Sequence, residues 1–259
     1  MKIQRPTQKQ GQILADLHTH PGLKQNLDFL VERLTRGITG IAQDNDWLTI
    51  WNYQDLIETL KVKSGVSIRE VNQSLLAEIN YNGQIGYITK TQEVCANNDH
   101  HILAFGCREN FPNKEDPRTT VEKVHKKKGL AILNHPYVFG KRIANEIEEL
   151  TIKELYQMVD EVEIFNAQCI DLIPPFICMK EANKKAKELA SQYEGIEGIA
   201  SSDAHYEISP IGTSGIYIPN QDLNIEAIMQ YIKSKNFERY EQYVDRWTFF
   251  KEFISPRRG

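Results

Sequence analysis

The sequence holds little that could staple a fold covalently. Four cysteines, Cys95, Cys107, Cys169 and Cys178, occur in 259 residues, and no two of them form a Cys-x-x-Cys pair. That scarcity argues against a disulfide-rich secreted scaffold or a thiolate metal site, and reads as reduced packing cysteines in a cytoplasmic protein. Charge of one sign is missing too. The 31 basic and 35 acidic residues leave a net charge of −4, so no global basic field calls for nucleic acid. Apolar runs stop well short of the roughly 20 residues a membrane helix requires. The opening MKIQRPTQKQGQ lacks the apolar centre of an export signal. No repeat, low-complexity tract or Pro/Gly/Ser linker divides the chain, and its length suits a single barrel-sized domain over residues 1–259.

What is present is alternation. Short β-branched runs (QILADLH, GITGIAQD, GYITKTQEVCA, HHILAFG, GLAILNHP, DEVEIFNA, GIEGIASSDAH, SGIYIP) alternate with amphipathic stretches (LDFLVERLTR, TTVEKVHKKK, TIKELYQMV, MKEANKKAKELASQY, NIEAIMQYIKS). This is the pattern of repeated β-α units, with a core from about 13 to 220. Gly37, Gly129 and Gly195 stand where helices would stop before re-entering the sheet. Residues 47–82 are expected to form helices inserted after the second strand, SIREVNQSLLAEIN being their clearest part. RWTFFKEFI is expected to be a C-terminal helix.

Only seven histidines occur, yet ILADLHTHPG places His18 and His20 one residue apart. On a strand they would share a face, roughly 6 to 7 Å apart, and could grip one metal or be two unrelated polar residues. Position decides between these. His18 and His20 end the first strand, Asp44 the second, Glu93 the third and His135 the fifth. Glu163 and Asn166 end the sixth, Asp203 and His205 the seventh, and His101 opens the fourth. In a barrel of parallel strands those ends meet at one mouth. A mixed imidazole and carboxylate set without thiolates suits Zn, Mn or Fe. Taken alone, His135 reads equally well as a packed residue before Pro136, and Glu163 as a solvated strand residue. His100 should face away from His101, and His125 sits among helix-surface lysines.

In order and spacing, DLHTH, QEVCANNDHHILAFG, LNHP, EVEIFNA and SSDAH resemble the PHP (polymerase and histidinol phosphatase) family of metal-dependent phosphoesterases. The resemblance spans residues 13–205. It implies an α/β fold, a distorted (β/α)7 TIM-like barrel, and hydrolysis of a phosphate ester at a metal cluster in the C-terminal mouth. Carried over, His18, His20, Glu93 and Asp203 would hold one ion, and Glu93 would bridge to a second completed by His101 and His135. His205 matches a ligand of the family's third metal. Asn26 and Asn45 stand where histidines are expected for that metal, so two divalent ions are expected. Asp44 or His205 would move a proton or orient the nucleophile. Arg108, Lys141 and Arg142 are candidates for the substrate phosphate. The expected partner is a small phosphorylated substrate, with nucleic acid less favoured. The alternatives are hydrolysis of another bond, or a non-catalytic barrel serving a partner.

Overall fold

The computed structural model describes residues 9–23, 25–46, 50–138, 146–173, 177–205 and 211–245. The first strand, β1 (Gln12–His20), leads through α1 (Leu27–Leu34) to β2 (Ile38–Gln43) and α2 (Tyr53–Lys61). Then come β3 (Val66–Asn72), β4 (Leu76–Tyr81), β5 (Gln84–Cys95), β6 (His101–Phe105), α3 (Pro117–Lys126), β7 (Leu130–Asn134) and α4 (Glu146–Met158). After β8 (Glu161–Asn166) follow the short β9 (Asp171–Ile173) and β10 (Ile177–Cys178), α5 (Lys180–Ala190), β11 (Ile199–Ser201) and β12 (Ala204–His205). The described chain closes with β13 (Gly215–Pro219), α6 (Ile225–Lys233) and β14 (Glu238–Tyr240).

The wall of the barrel runs β11-β8-β7-β6-β5-β2-β1, and β12 pairs β1 in parallel, with His20 opposite His205, to close the ring. The lower half of β1 pairs instead with β13, antiparallel. Counting the β11–β12 run as one strand gives the expected seven-stranded α/β barrel. One strand departs from the parallel arrangement. Antiparallel to both neighbours, β6 places His101 opposite Cys95 and Asn134 at the upper end, and Phe105 opposite Thr91 and Leu130 below.

The insertion corrects the sequence reading. Among its described residues only α2 is helical, while SIREVNQSLLAEIN forms β3, a turn and most of β4, an antiparallel hairpin that adds to the edge of β5. Val66, Ile68 and Val71 are half-buried, and Ser67, Arg69 and Glu70 are exposed. Asn82 and Gly83, both left-handed (φ +53° and +78°), close the turn into β5, as a two-residue hairpin loop requires. The expected C-terminal helix at 246–254 lies outside the described residues.

Packing sorts by strand face. Leu17, Ile38, Ala42, Leu103, Phe105 and Ile132 fill the barrel, together with Ile225, Ile228 and Ile232 of α6. The outward residues of β5 to β8 pack on α3, α4 and α5, and Ile41, Ile79 and Ile88 pack with α1 and α2.

One irregularity decides where the histidines point. Along β1, Asp16 pairs with Thr39, but the next pair is Thr19 with Ile41, so Leu17 and His18 together oppose Gly40 alone. This is a β-bulge. Ala15 and Leu17 face the barrel interior with Ile38. Strict alternation would have turned His18 and His20 outward, and the extra residue turns them in. The approach is close, because a Cβ on Gly40 would overlap the Leu17 carbonyl. Gly40→Ala is therefore expected to cost about 2–3 kcal/mol, as overpacking does, read as a lowered urea midpoint. A variant as stable as the parent would contradict the bulge account.

Candidate metal centre

Five of the seven histidines meet two carboxylates at the upper end of the barrel. His18 Nε2 and His20 Nε2 face each other at 3.0 Å. Glu93 lies between strands: Oε1 is 2.8 Å from His101 Nδ1, 3.1 Å from His135 Nε2 and 3.3 Å from His18 Nε2, and Oε2 is 3.1 Å from His20 Nε2. Asp203 Oδ1 is 3.5 Å from His18 Nε2 and 3.6 Å from His20 Nε2. The His20 and His205 rings stack at 4.5 Å. The reversal of β6 explains why His101, the first residue of its strand, arrives at the same rim as residues that end theirs.

Backbone strain accompanies this convergence. His135 (φ +23°) and Asp203 (φ +49°) both occupy the region that favours glycine, and such conformations persist only where surroundings enforce them. The Asp203 N–H donates to the His18 carbonyl at 2.9 Å. Beside it, Asp16 accepts from the Ser202 N–H (3.0 Å), Ser202 Oγ (2.5 Å) and the Gly212 N–H (2.8 Å). These bonds tie β1 to the turn that carries Asp203.

The donor set fits a divalent cation. Asp203 Oδ1 is buried without a hydrogen-bond partner, while Oδ2 accepts from Asn166 Nδ2 at 3.0 Å. Among the described residues, the ligand atoms of His18, His20 and Glu93, of Glu93, His101 and His135, of His18, His135 and Asp203, and of His20, Asp203 and His205 each converge within 4.8 Å. Among the described residues, neutral donors and the shared protons of the imidazoles supply the compensation. Burial opposes a charged His18, yet Asp203, Glu93 and Glu163 hold its pKa well above the ordinary imidazole value. Burial likewise opposes a charged Glu93, yet His101 and His18 hold its carboxyl well below the usual range. Asp203 is also lowered, burial being outweighed by His18, His205, His135 and His20. For His205 burial prevails and pushes the pKa down to about 4.

The remaining candidates separate clearly. Asp44 sits beside the cluster, buried, its Oδ1 accepting from the Asp46 N–H at 2.8 Å and its Oδ2 lying 3.7 Å from Cys95 Sγ. Burial raises its pKa. Arg108 is not brought to the cluster. It follows the lower end of β6, and its carbonyl accepts from Lys90 Nζ, because an antiparallel strand carries the chain away from the mouth. Lys141 and Arg142 lie outside the described residues. His100 is buried away from the cluster, and His125 pairs with Asp160 at 2.9 Å on the surface.

Asn26 and Asn45 have other employment. Asn26 caps α1, accepting from the Asp28 and Phe29 N–H groups at 2.9 and 3.2 Å. The Asn45 amide donates to the Phe111 carbonyl at 3.3 Å and accepts from Gln43 Nε2 at 3.1 Å. Sequence reasoning missed Asn134, whose buried amide donates to Glu93 Oε1 at 3.2 Å. Its adjacency to His135 was the available signal. Glu163 is no solvated strand residue, being 1% exposed.

The chain matches no protein-family model and no curated protein sequence. The fold is shared with solved structures of low sequence identity, one of which contains a predicted PHP-like domain. A two-domain protein containing a predicted PHP-like metal-dependent phosphoesterase, from Bacteroides vulgatus ATCC 8482, superimposes with a TM-score of 0.55 at 14% identity, over 93% of this chain and 69% of that one. PsfC from Pseudomonas syringae PB-5123 gives 0.63 at 13% identity, over 95% and 98% of the two chains. The lesion-specific endonuclease PfuEndoQ from Pyrococcus furiosus gives 0.58 at 16% identity, over 91% of this chain but 60% of its own.

Two expectations follow. Because the carboxylates around His18 raise its pKa, metal uptake at pH 7 should release a proton. Calorimetric titrations in buffers of different ionisation enthalpy measure this, and buffer-independent heats would contradict it. Asn26→Ala should cost about 1 kcal/mol, the worth of a helix cap, and leave metal content per chain unchanged. A fall in bound metal would instead make Asn26 a ligand.

Proposed function

We propose that this chain is a metal-dependent phosphoesterase acting at the upper mouth of the barrel. The observation that carries the reading is the convergence of five imidazoles with Glu93 and Asp203. Burying such a set without a cation would cost many kcal/mol. His18, His20, Glu93 and Asp203 hold one ion; Glu93, His101 and His135 hold the second. Bound divalent ions supply positive charge for the phosphoryl oxygens and acidity for the attacking water. His205, whose pKa burial lowers to about 4, is neutral at pH 7 and suited to orient the nucleophile rather than to take up a proton. Asp44, with its pKa raised by burial, is suited to deliver one to the leaving oxygen. With Asn26 committed to a helix cap and Asn45 to a loop, the group of His20, Asp203 and His205 lacks the two further histidines expected of a third site, which favours two ions.

The balanced charge of the chain favours a small phosphorylated substrate over a polynucleotide. DNA belongs in the test nonetheless, since an endonuclease Q of similar fold has been solved with a 27-mer duplex carrying an abasic lesion at its active site (TM-score 0.55, 16% identity). The experiment is a phosphoester panel (nucleotides, sugar phosphates, amino-alcohol phosphates, oligonucleotides and lesion-bearing duplex) assayed after reconstitution with Zn, Mn or Fe. Turnover of a phosphomonoester or diester is the expected result. His20→Ala and Glu93→Ala should each lower it on the order of 100-fold or more, since several kcal/mol of charge stabilisation go with a ligand. A metal-loaded chain that hydrolyses a different bond, or nothing, would sink the phosphoesterase reading.

A further inference from the structure

Glu163 stands on β8 behind the cluster, its side chain fully buried. Its Oε1 accepts from Ser201 Oγ and, at 3.4 Å, from Asn166 Nδ2, and its Oε2 accepts from the His135 N–H at 3.0 Å. All three donors are neutral. Oε2 also faces His18 Nδ1 at 3.4 Å. That nitrogen is buried and makes no closer hydrogen bond, while His18 Nε2, across the ring, faces His20, Glu93 and Asp203. Among the described residues, Glu163 belongs to none of the groups that could hold an ion.

We propose that Glu163 is a positioning residue for the metal centre: its carboxylate accepts the Nδ1–H of His18 and so presents Nε2 unprotonated to the ion. The proposal rests on the metal reading above. A neutral imidazole has two tautomers, only one of which leaves Nε2 a lone pair, and an acceptor at Nδ1 selects that one and raises its basicity. The same carboxylate oxygen grips the His135 backbone, which is held at φ +23°. One side chain therefore orients a ligand of each proposed ion.

The test uses the whole chain, stripped with a chelator and titrated with Zn or Mn, comparing wild type with Glu163→Gln. The glutamine keeps the size of the side chain and removes its charge. It is expected to remain folded, to bind metal about 10–100-fold more weakly, and to lose most of the metal-induced rise in Tm. In the metal-loaded wild type, nitrogen NMR of His18 should show Nδ1 protonated. Wild-type affinity in the variant, even with lowered stability, overturns the proposal, as does an Nε2-protonated His18. The wild-type spectrum decides alone if the variant fails to fold. A wild-type chain that takes up no metal brings down the metal reading as well, whereas an unaffected Glu163→Gln brings down only this one.

Discussion

The candidate site depends on one extra residue in one strand. Leu17 and His18 share the place opposite Gly40, and this bulge changes which face of β1 looks inward. Below it, Ala15 and Leu17 fill the barrel with carbon. Above it, His18 and His20 bring nitrogen to the mouth. The small size of Gly40 is what lets the strands approach closely enough for the switch, and Thr19 Oγ1 donates to the Gly40 carbonyl at 2.7 Å, pinning the register beside it. A packed interior and a polar rim are thus made by a single strand with two parities.

The second constraint is electrostatic. Glu93, Glu163 and Asp203 each lie 3.3 to 3.5 Å from a ring nitrogen of His18, in a largely buried region. Buried charges of this kind stand only when they are paired or hydrogen-bonded. Neutral donors do part of this: Asn134 on Glu93, Asn166 on Asp203 and Ser201 on Glu163. These amides and hydroxyls leave selected oxygens uncommitted, Asp203 Oδ1 above all, and it is toward those atoms that the imidazoles turn. Two residues of the cluster held with positive φ, His135 and Asp203, show that local backbone preference yields here to the geometry of the site.

Much of this was legible in the chain itself, for physical reasons that differ by element. The β-branched runs and amphipathic helices follow from periodicity, and the five histidines could be assigned to one mouth because each falls at a predicted strand end. His101 fitted that scheme only through the reversal of β6, which no local pattern announces. The same reversal removed Arg108 from the site. Within the insertion, SIREVNQSLLAEIN suggests a helix, although Ile68 alternates with the exposed Ser67 and Arg69. The Asn82-Gly83 turn was an overlooked hairpin signal. The bulge could not have been foreseen, since it concerns how two strands pair. The carboxylate of Glu163 looked unremarkable because its partners come from β1, β7 and β11, which only the closed barrel assembles.

The central claim is that the cluster is built around cations. The most direct measurement is anomalous diffraction from crystals of the Zn- or Mn-loaded protein, with data collected at the metal absorption edge. The account predicts strong peaks among His18, His20, Glu93 and Asp203 and among Glu93, His101 and His135. A well-ordered loaded crystal with no anomalous density between these residues would contradict it.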